Sequence, residues 1–325
     1  MKIVVIGGGA AGLGAAGAAK GANPKAEIVV YTEFEDVAYS PCGIPFVHGK
    51  EIDSFERLFL ATKEQYVESG LDIRYETTVT AIDPANKTIT VAGEGVVSYD
   101  RLIVATGWDY ADPGVPGGDL GGIYRVKNIR RAMEWDTVLD TVKSAVIVES
   151  GYIAMEMTTA LRHRGIDVTI VDPGPWPLSD LVDPEIIEPV RKGWEDIDVD
   201  MQWGNRVTAF RGDTTLTHVE TERGDVIADL AVIGTHKKPL NDLAKAAGIK
   251  LGSTGGIIVD SHMRTSIDGI FAAGDCAEIP HGVSNVPLQG LSGSHAYAQG
   301  KAAGVNAGGG DRQYKQVYVP WGMLA

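Results

Sequence analysis

Gly7, Gly9 and Gly12 stand at G-x-G-x-x-G spacing directly behind an apolar run, Ile3-Val4-Val5-Ile6. Those residue types at that spacing suit a pyrophosphate. Gly7 permits a tight turn, Gly9 lets the backbone come close to phosphate, and Gly12 lets helix and strand pack together. The helix start that follows offers free N–H groups and partial positive charge. A second apolar run, Ile28-Val29-Val30-Tyr31, leads to Glu33, whose carboxylate can accept hydrogen bonds from an adenosine ribose. Strand, glycine turn, helix, strand and acid in that order predict dinucleotide binding.

Cys42 is the second residue with chemistry to offer. It sits between Pro41 and Gly43, with Pro45 close behind. Proline favours a helix start, so the spacing places Cys42 at or just before a helix N-terminus, where a thiol's pKa falls and the sulfur becomes nucleophilic. A packed small hydrophobe is the alternative reading. The only other cysteine is Cys276, read as structural packing. An adjacent-dithiol mechanism is therefore excluded, and any disulfide of Cys42 is with a small thiol or another molecule.

The pattern of the first stretch then repeats. A strand at 145–148 runs into Glu149-Ser150-Gly151-Tyr152-Ile153-Ala154. A helix to about Arg164 follows, with Gly165 as its stop, and then a strand at 168–171 ending at Asp172. This is a second βαβ dinucleotide unit with an imperfect turn. Ala154 in place of the third glycine is allowed. Glu149 in place of the first sets a carboxylate beside a pyrophosphate and crowds the turn. Asp172 would favour a free ribose 2′-hydroxyl, hence NADH over NADPH. Further on, a strand at 269–274 ends in Asp275, at the strand end where α/β sheets bind ligands. Asp275 is a candidate for holding polyol hydroxyls, with a plain turn aspartate as the alternative.

The elements that must position these residues are read from periodicity and turn signals. A helix is predicted at 55–69, strands at 73–75, 78–82 and 88–91, and a turn at Gly93-Glu94-Gly95. A buried strand at 102–107 ends in Ala105-Thr106-Gly107. Pro113-Gly114-Val115-Pro116-Gly117 reads as a linker. Strands at 207–210, 217–220 and 229–233 close a second domain, and 255–259 returns to the first. A helix is predicted over about 290–303. The expected fold is α/β, with two Rossmann-like dinucleotide-binding domains, the second inserted into the first. The first is discontinuous, 1–107 with 241–325, and the second covers 108–240.

Composition bounds the rest. The 325 residues suit two domains, 44% of them are hydrophobic, and 41 glycines exceed ordinary usage. A net charge of −14 argues against nucleic acid or anionic membrane as partner. No apolar run reaches the length of a membrane span. The first strand begins at residue 2 or 3, leaving no room for a signal peptide. No cysteine pair forms a disulfide framework, and no metal set is read. A cytoplasmic protein is expected.

The motifs together resemble the two-dinucleotide-binding flavoprotein disulfide reductases. Within them the chain is similar to the single-cysteine branch of coenzyme A-disulfide reductases, NADH oxidases and archaeal sulfur or polysulfide reductases. The residues carrying the resemblance are Gly7–Gly12, Ser40-Pro41-Cys42-Gly43-Ile44-Pro45, Ala105-Thr106-Gly107, Gly151-Tyr152-Ile153 with Glu156, and Ala273-Gly274-Asp275-Cys276. Their order and spacing match along nearly the whole chain. The resemblance implies FAD in the first domain, its pyrophosphate on Gly7, Gly9 and Gly12 and its adenosine ribose on Glu33. Val79 would lie near the adenine, Ala105, Thr106 and Gly107 would line the cofactor, and Gly274 with Asp275 would meet the ribityl chain. Ser40 belongs to the motif around Cys42, which would exchange electrons with the flavin. NADH would lie on the second domain, with Tyr152 as the gate it displaces and Ile153, Glu156, Asp172 and Gly234 lining its site. The helix after Asp275 would point its positive end at the flavin ring.

The function implied is an FAD-dependent NADH oxidoreductase acting on a small disulfide, persulfide or polysulfide through Cys42. Oxygen as acceptor stays open, as does a flavin-binding protein with a degenerate NAD site reduced by a protein partner. The family's C-terminal interface domain is expected to be absent, which leaves dimerisation unassigned. Ala10 and Ala11 stand where peroxidase relatives carry a histidine, which lowers a peroxidase reading. His281 and His295 are read as structural histidines, and Tyr318 and Trp321 as packing residues.

Overall fold

The computed structural model describes residues 1–235, 237–290 and 292–315. The chain divides by its contacts into two compact units. Of the described residues, one comprises Met1–Tyr39, Phe59–Asp109 and 237–315, and the other Ser40–Leu58 and 110–235. Tyr318 and Trp321 lie outside the described residues.

The first unit is built on a five-stranded sheet in the spatial order Ile270–Ala272, Arg101–Val104, Lys2–Ile6, Glu27–Tyr31, Asp72–Arg74. Every pairing in it is parallel. The central strands are continuous Val, Ile and Leu runs because both faces are covered. Two helices, Ala10–Ala22 and Gly293–Ala307, pack on each other along a seam of alanine and glycine. A Cβ on Gly300 would stand 2.1 Å from the Ala11 carbonyl oxygen, and one on Gly304 would stand 2.0 Å from that of Ala15. Those glycines cost helix propensity, and the close approach of the two backbones is what they give in return. A three-stranded antiparallel sheet, Val79–Asp83, Thr88–Val91 and Gly95–Ser98, lies beside the main sheet in the chain.

The second unit repeats the architecture, with strand order Asp200–Trp203, Asp167–Asp172, Ser144–Val148, Leu230–Ile233, Ile123–Tyr124. It too is parallel throughout. The helix Tyr152–His163 ends before Gly165, whose φ of +77° is the left-handed turn a helix stop uses. An antiparallel sheet of Val207–Arg211, His218–Thr221 and Gly224–Ile227 completes it.

Several elements differ from the sequence expectation. The helix expected at 55–69 is two pieces, a 3-10 turn at Phe55–Leu58 and a helix at Lys63–Glu68. Between them Phe59 makes an isolated bridge to Tyr39 and the chain bends, with the Leu60 N–H on the Ala38 carbonyl at 2.9 Å. Thr62 and Gln65 cap the second piece reciprocally. The strands Gly95–Ser98 and Gly224–Ile227 are not among the expected strands; hairpin partners recruit them. The last helix starts at Gly293 and extends to Ala307, and the strands Ala277–Pro280 and Pro287–Leu288 separate it from Asp275.

The helix seam yields a test. Gly304→Val would force the two helices of the first unit apart, at a cost of roughly 1–3 kcal/mol, seen as a fall of several degrees in Tm. An unchanged Tm would mean that the seam does not hold that unit together.

Candidate functional site

Parallel pairing brings separated parts of the sequence to one sheet edge. In the first unit Ile6 is level with Tyr31 and with Val104, and Val104 with Ala272. The segments leaving those strands are Gly7–Gly9, Thr32-Glu33, Ala105–Gly107 and Gly274-Asp275. Four expected cofactor segments therefore share the carboxyl edge where α/β sheets receive ligands. A Cβ on Gly7 would stand 2.2 Å from the Ala105 carbonyl oxygen, and one on Gly12 would stand 1.9 Å from that of Gly7. These approaches close the turn onto its neighbours. Gly9 is exposed, and a Cβ there would meet nothing within 4 Å. The turn is thus closed inward and open outward, at the N-terminus of a helix without side-chain cap, and fits a pyrophosphate.

Other residues of the first unit fall as follows. Val79 is buried and pairs with Val91. Glu33 is exposed, one residue beyond the buried Thr32. Gly274 donates its N–H to Gln299 at 2.8 Å. Asp275 is mostly buried, with the Lys237 ammonium 3.6 Å from Oδ2. That same ammonium lies 4.6 Å from the centre of the Trp108 ring. Cys276 is fully buried, and burial raises its pKa. His281 bonds to Ser284 at 3.0 Å and His295 to Ser292 at 2.8 Å, both local turn and cap contacts.

In the second unit Val148 is level with Val171 and with Ile233. Glu149–Gly151, Asp172 and Gly234 therefore share its carboxyl edge. A Cβ on Gly151 would stand 2.6 Å from the Gly234 carbonyl oxygen, and one on Gly234 would stand 2.0 Å from that of Glu149. The turn is as tightly closed as the first, and so has the shape of a nucleotide cradle. Glu149 accommodates this with φ +62°, a left-handed conformation that costs a non-glycine residue about 1–2 kcal/mol. Asp172 is buried. It accepts from the Ser150 N–H at 2.7 Å, from the Ser150 hydroxyl, and from the Gly174 N–H at 2.7 Å. Tyr152 and Ile153 open the following helix, half-buried. Burial raises the Glu156 carboxyl to about 7.

Cys42 belongs to the second unit and is exposed rather than packed. It sits in the 3-10 turn Pro41–Gly43, which runs directly into the helix Ile44–His48. The Ser40 N–H binds the Leu58 carbonyl at 2.9 Å, tying the start of the segment to its end. Among the described residues no group of three or more His, Cys, Asp or Glu is placed to hold a metal ion. No helix among them is long and apolar enough to cross a membrane.

The chain matches the family described as pyridine nucleotide-disulphide oxidoreductase over residues 1–300. A protein named NADH oxidase from Methanocaldococcus jannaschii is 34% identical over 324 residues, 98% of this chain and 72% of that one. One named NAD(P)H sulfur oxidoreductase (CoA-dependent), from Pyrococcus abyssi, is 31% identical over 92% of this chain and 68% of that one. Among solved structures, a NAD-dependent persulfide reductase from A. fulgidus superposes with a TM-score of 0.94 at 29% identity. That match covers 98% of this chain and 61% of the solved chain.

Sequence reasoning missed a buried cluster behind the cysteine segment. His48, fully buried at the end of its helix, places Nδ1 3.1 Å from Asp136 Oδ1 and Nε2 2.9 Å from the Tyr124 hydroxyl. Arg164 donates to the same Asp136 oxygen at 2.6 Å and to the His48 carbonyl at 3.2 Å. Because the carboxylate can only accept, Nδ1 carries the proton and Nε2 receives the tyrosine O–H. Tyr124 stacks on Trp135 with ring centres 4.9 Å apart. No local signal points to this cluster, since His48 is separated from its partners by 76 to 116 residues.

Burial lowers the His48 pKa against the opposing pull of Asp136. The unfolded chain therefore takes up a proton that the folded one resists, and stability should fall as pH drops below the ordinary histidine value of about 6.5. His48→Asn removes that titration, so its stability deficit, read from urea midpoints, should shrink between about pH 7.5 and 5. A deficit constant across that range would show that His48 is not held neutral by burial.

Proposed function

We propose that this chain, which belongs to the pyridine nucleotide-disulphide oxidoreductase family, is an FAD-dependent NADH oxidoreductase reducing a small disulfide, persulfide or polysulfide. The observation that carries the reading is an exposed Cys42 thiol in a chain that closes two glycine-lined turns at the carboxyl edges of two parallel sheets. A bound FAD would supply the hydride-accepting chemistry that links NADH to oxidised sulfur.

The chain's own residues supply orientation and charge. On this reading 1–107 and 241–325 hold FAD. Gly7, Gly9 and Gly12 take the pyrophosphate, Glu33 the adenosine ribose, Val79 the adenine neighbourhood, and Ala105, Thr106, Gly107, Gly274 and Asp275 the rest of the cofactor. Residues 108–240 hold NADH at Gly151, Tyr152, Ile153, Glu156, Asp172 and Gly234. Cys42, with Ser40 beside it, would attack one sulfur of the substrate S–S bond as thiolate while the other sulfur departs as thiolate or sulfide. The electron pair supplied through the flavin would then cleave the mixed disulfide, releasing the second substrate thiol and regenerating the Cys42 thiolate, a role the thiol's exposure supports. Coenzyme A-type sulfur compounds are the substrate class favoured by the name of the 31% identical relative. Oxygen is the second acceptor, favoured by the name of the 34% identical one. Two unbridged cysteines and a net charge of −14 support action in the cytoplasm.

Anaerobic visible spectra of the purified protein test the cofactor pair, with bleaching of a yellow protein by NADH as the expected outcome. A colourless protein, or a yellow one bleached by dithionite but not NADH, would contradict the reading. Cys42→Ser should keep the flavin absorbance and lose disulfide and persulfide turnover by roughly a thousandfold or more. Undiminished turnover would remove Cys42 from the chemistry.

A further inference from the structure

The two units can be aligned residue by residue through their strand registers. Gly7 donates its N–H to the Tyr31 carbonyl at 2.8 Å, and Glu149 donates to that of Val171 at 3.0 Å. Ile6 is level with Tyr31, as Val148 is with Val171. Ser150 therefore stands where the first unit has Gly8, and Asp172 where it has Thr32. The exposed position that Glu33 fills in the first unit is filled by Pro173 in the second. Asp172 is thus the acid of the second cradle, but in the inward place, at 8% exposure.

Its carboxylate is also engaged. Ser150 N–H and Ser150 hydroxyl both donate to Oδ2, and Gly174 N–H donates to Oδ1. An ionised carboxylate has about four acceptor places. Three are taken, and one of the three is taken by a hydroxyl that glycine at this position would not bring. A ribose offers two hydroxyls to the acid and finds one place free. A 2′-phosphate, conversely, meets a carboxylate whose charge three donors have already partly balanced.

We propose that Ser150 is a specificity-determining residue of the second nucleotide site: its hydroxyl, bound to Asp172, weakens the hold on an unphosphorylated ribose and narrows the preference for NADH over NADPH. This rests on the reading that the second unit binds a nicotinamide dinucleotide. Ser150 acts through the acid it binds, so its effect belongs to affinity rather than to the chemical step.

The test is binding, read by quenching of tryptophan fluorescence in the flavin-loaded protein, with NADH and NADPH titrated separately. Ser150→Gly copies the first unit's Gly8, and Ser150→Ala removes only the hydroxyl. Both should bind NADH more tightly than the unmodified protein, on the order of tenfold for one charge-assisted hydrogen bond released to the ribose. NADPH affinity should stay level or fall, so the ratio of the two Kd values widens. If the unmodified protein binds NADH and neither variant binds it more tightly, the proposal fails while the nucleotide reading stands. If none of the three binds either dinucleotide, the nucleotide reading fails and takes the proposal with it. Tight NADH binding by the variants alone would support the proposal in its strongest form.

Discussion

The structure depends on the contact of one backbone with another at the ends of parallel strands. In each unit the turn after the first strand of the βαβ repeat presses against the segment leaving an adjacent strand of the sheet. A Cβ on Gly7 or Gly234 would fall 2.2 or 2.0 Å from a carbonyl oxygen, far inside the 3.0 Å that real Cβ atoms keep, so only glycine fits there. A turn held that tightly is already in shape before a ligand arrives, and so is the helix N-terminus it leads into. Preorganisation of this kind is what an anion site at a helix N-terminus requires. The surrounding layers, sheet below and helix behind, are what keep the turn in that conformation.

Much of this is legible in the sequence because the signals are local. G-x-G-x-x-G behind an apolar run names a strand, a turn and a helix within a dozen residues, and the repeat at 145–172 names them again. The small residues Ala105-Thr106-Gly107 and Gly274-Asp275 mark strand ends by the same logic, and parallel pairing then places them together. What was not legible depends on register. Whether an acid near the end of a strand points inward or outward changes with a shift of a single residue. Spacing alone therefore treats Glu33 and Asp172 as equivalents, although one is exposed and the other buried. The contact between Ser150 and Asp172, 22 residues apart, becomes visible only once the strands are aligned.

The cysteine segment shows the same limit at longer range. In sequence Ser40–Leu58 follows the second strand of the first unit, yet its contacts group it with the second. His48 explains the attachment. A buried imidazole with both nitrogens satisfied, one by Tyr124 and one by Asp136, is costly to separate from its partners. Arg164 adds a bond to the His48 carbonyl itself. Nothing in Pro41-Cys42-Gly43 or its flanks announces those partners, because buried polar networks are chosen by tertiary neighbours rather than by local propensity.

The seam between Ala10–Ala22 and Gly293–Ala307 carries a further consequence, for the order in which the chain can acquire structure as it is synthesised. The first helix emerges early, but the surface it buries belongs to a helix made nearly 300 residues later. The strand Ile270–Ala272, at the edge of the same sheet, is almost as late. Most of the second unit, by contrast, is one continuous stretch, 110–235, and its contacts close over much shorter loops. The N-terminal half of the first unit must therefore wait, partly formed and with its alanine face uncovered, while the later part of the polypeptide completes a domain ahead of it. Vectorial synthesis and domain order run in opposite directions here, and the interval between them is when this protein has most need of protection from aggregation.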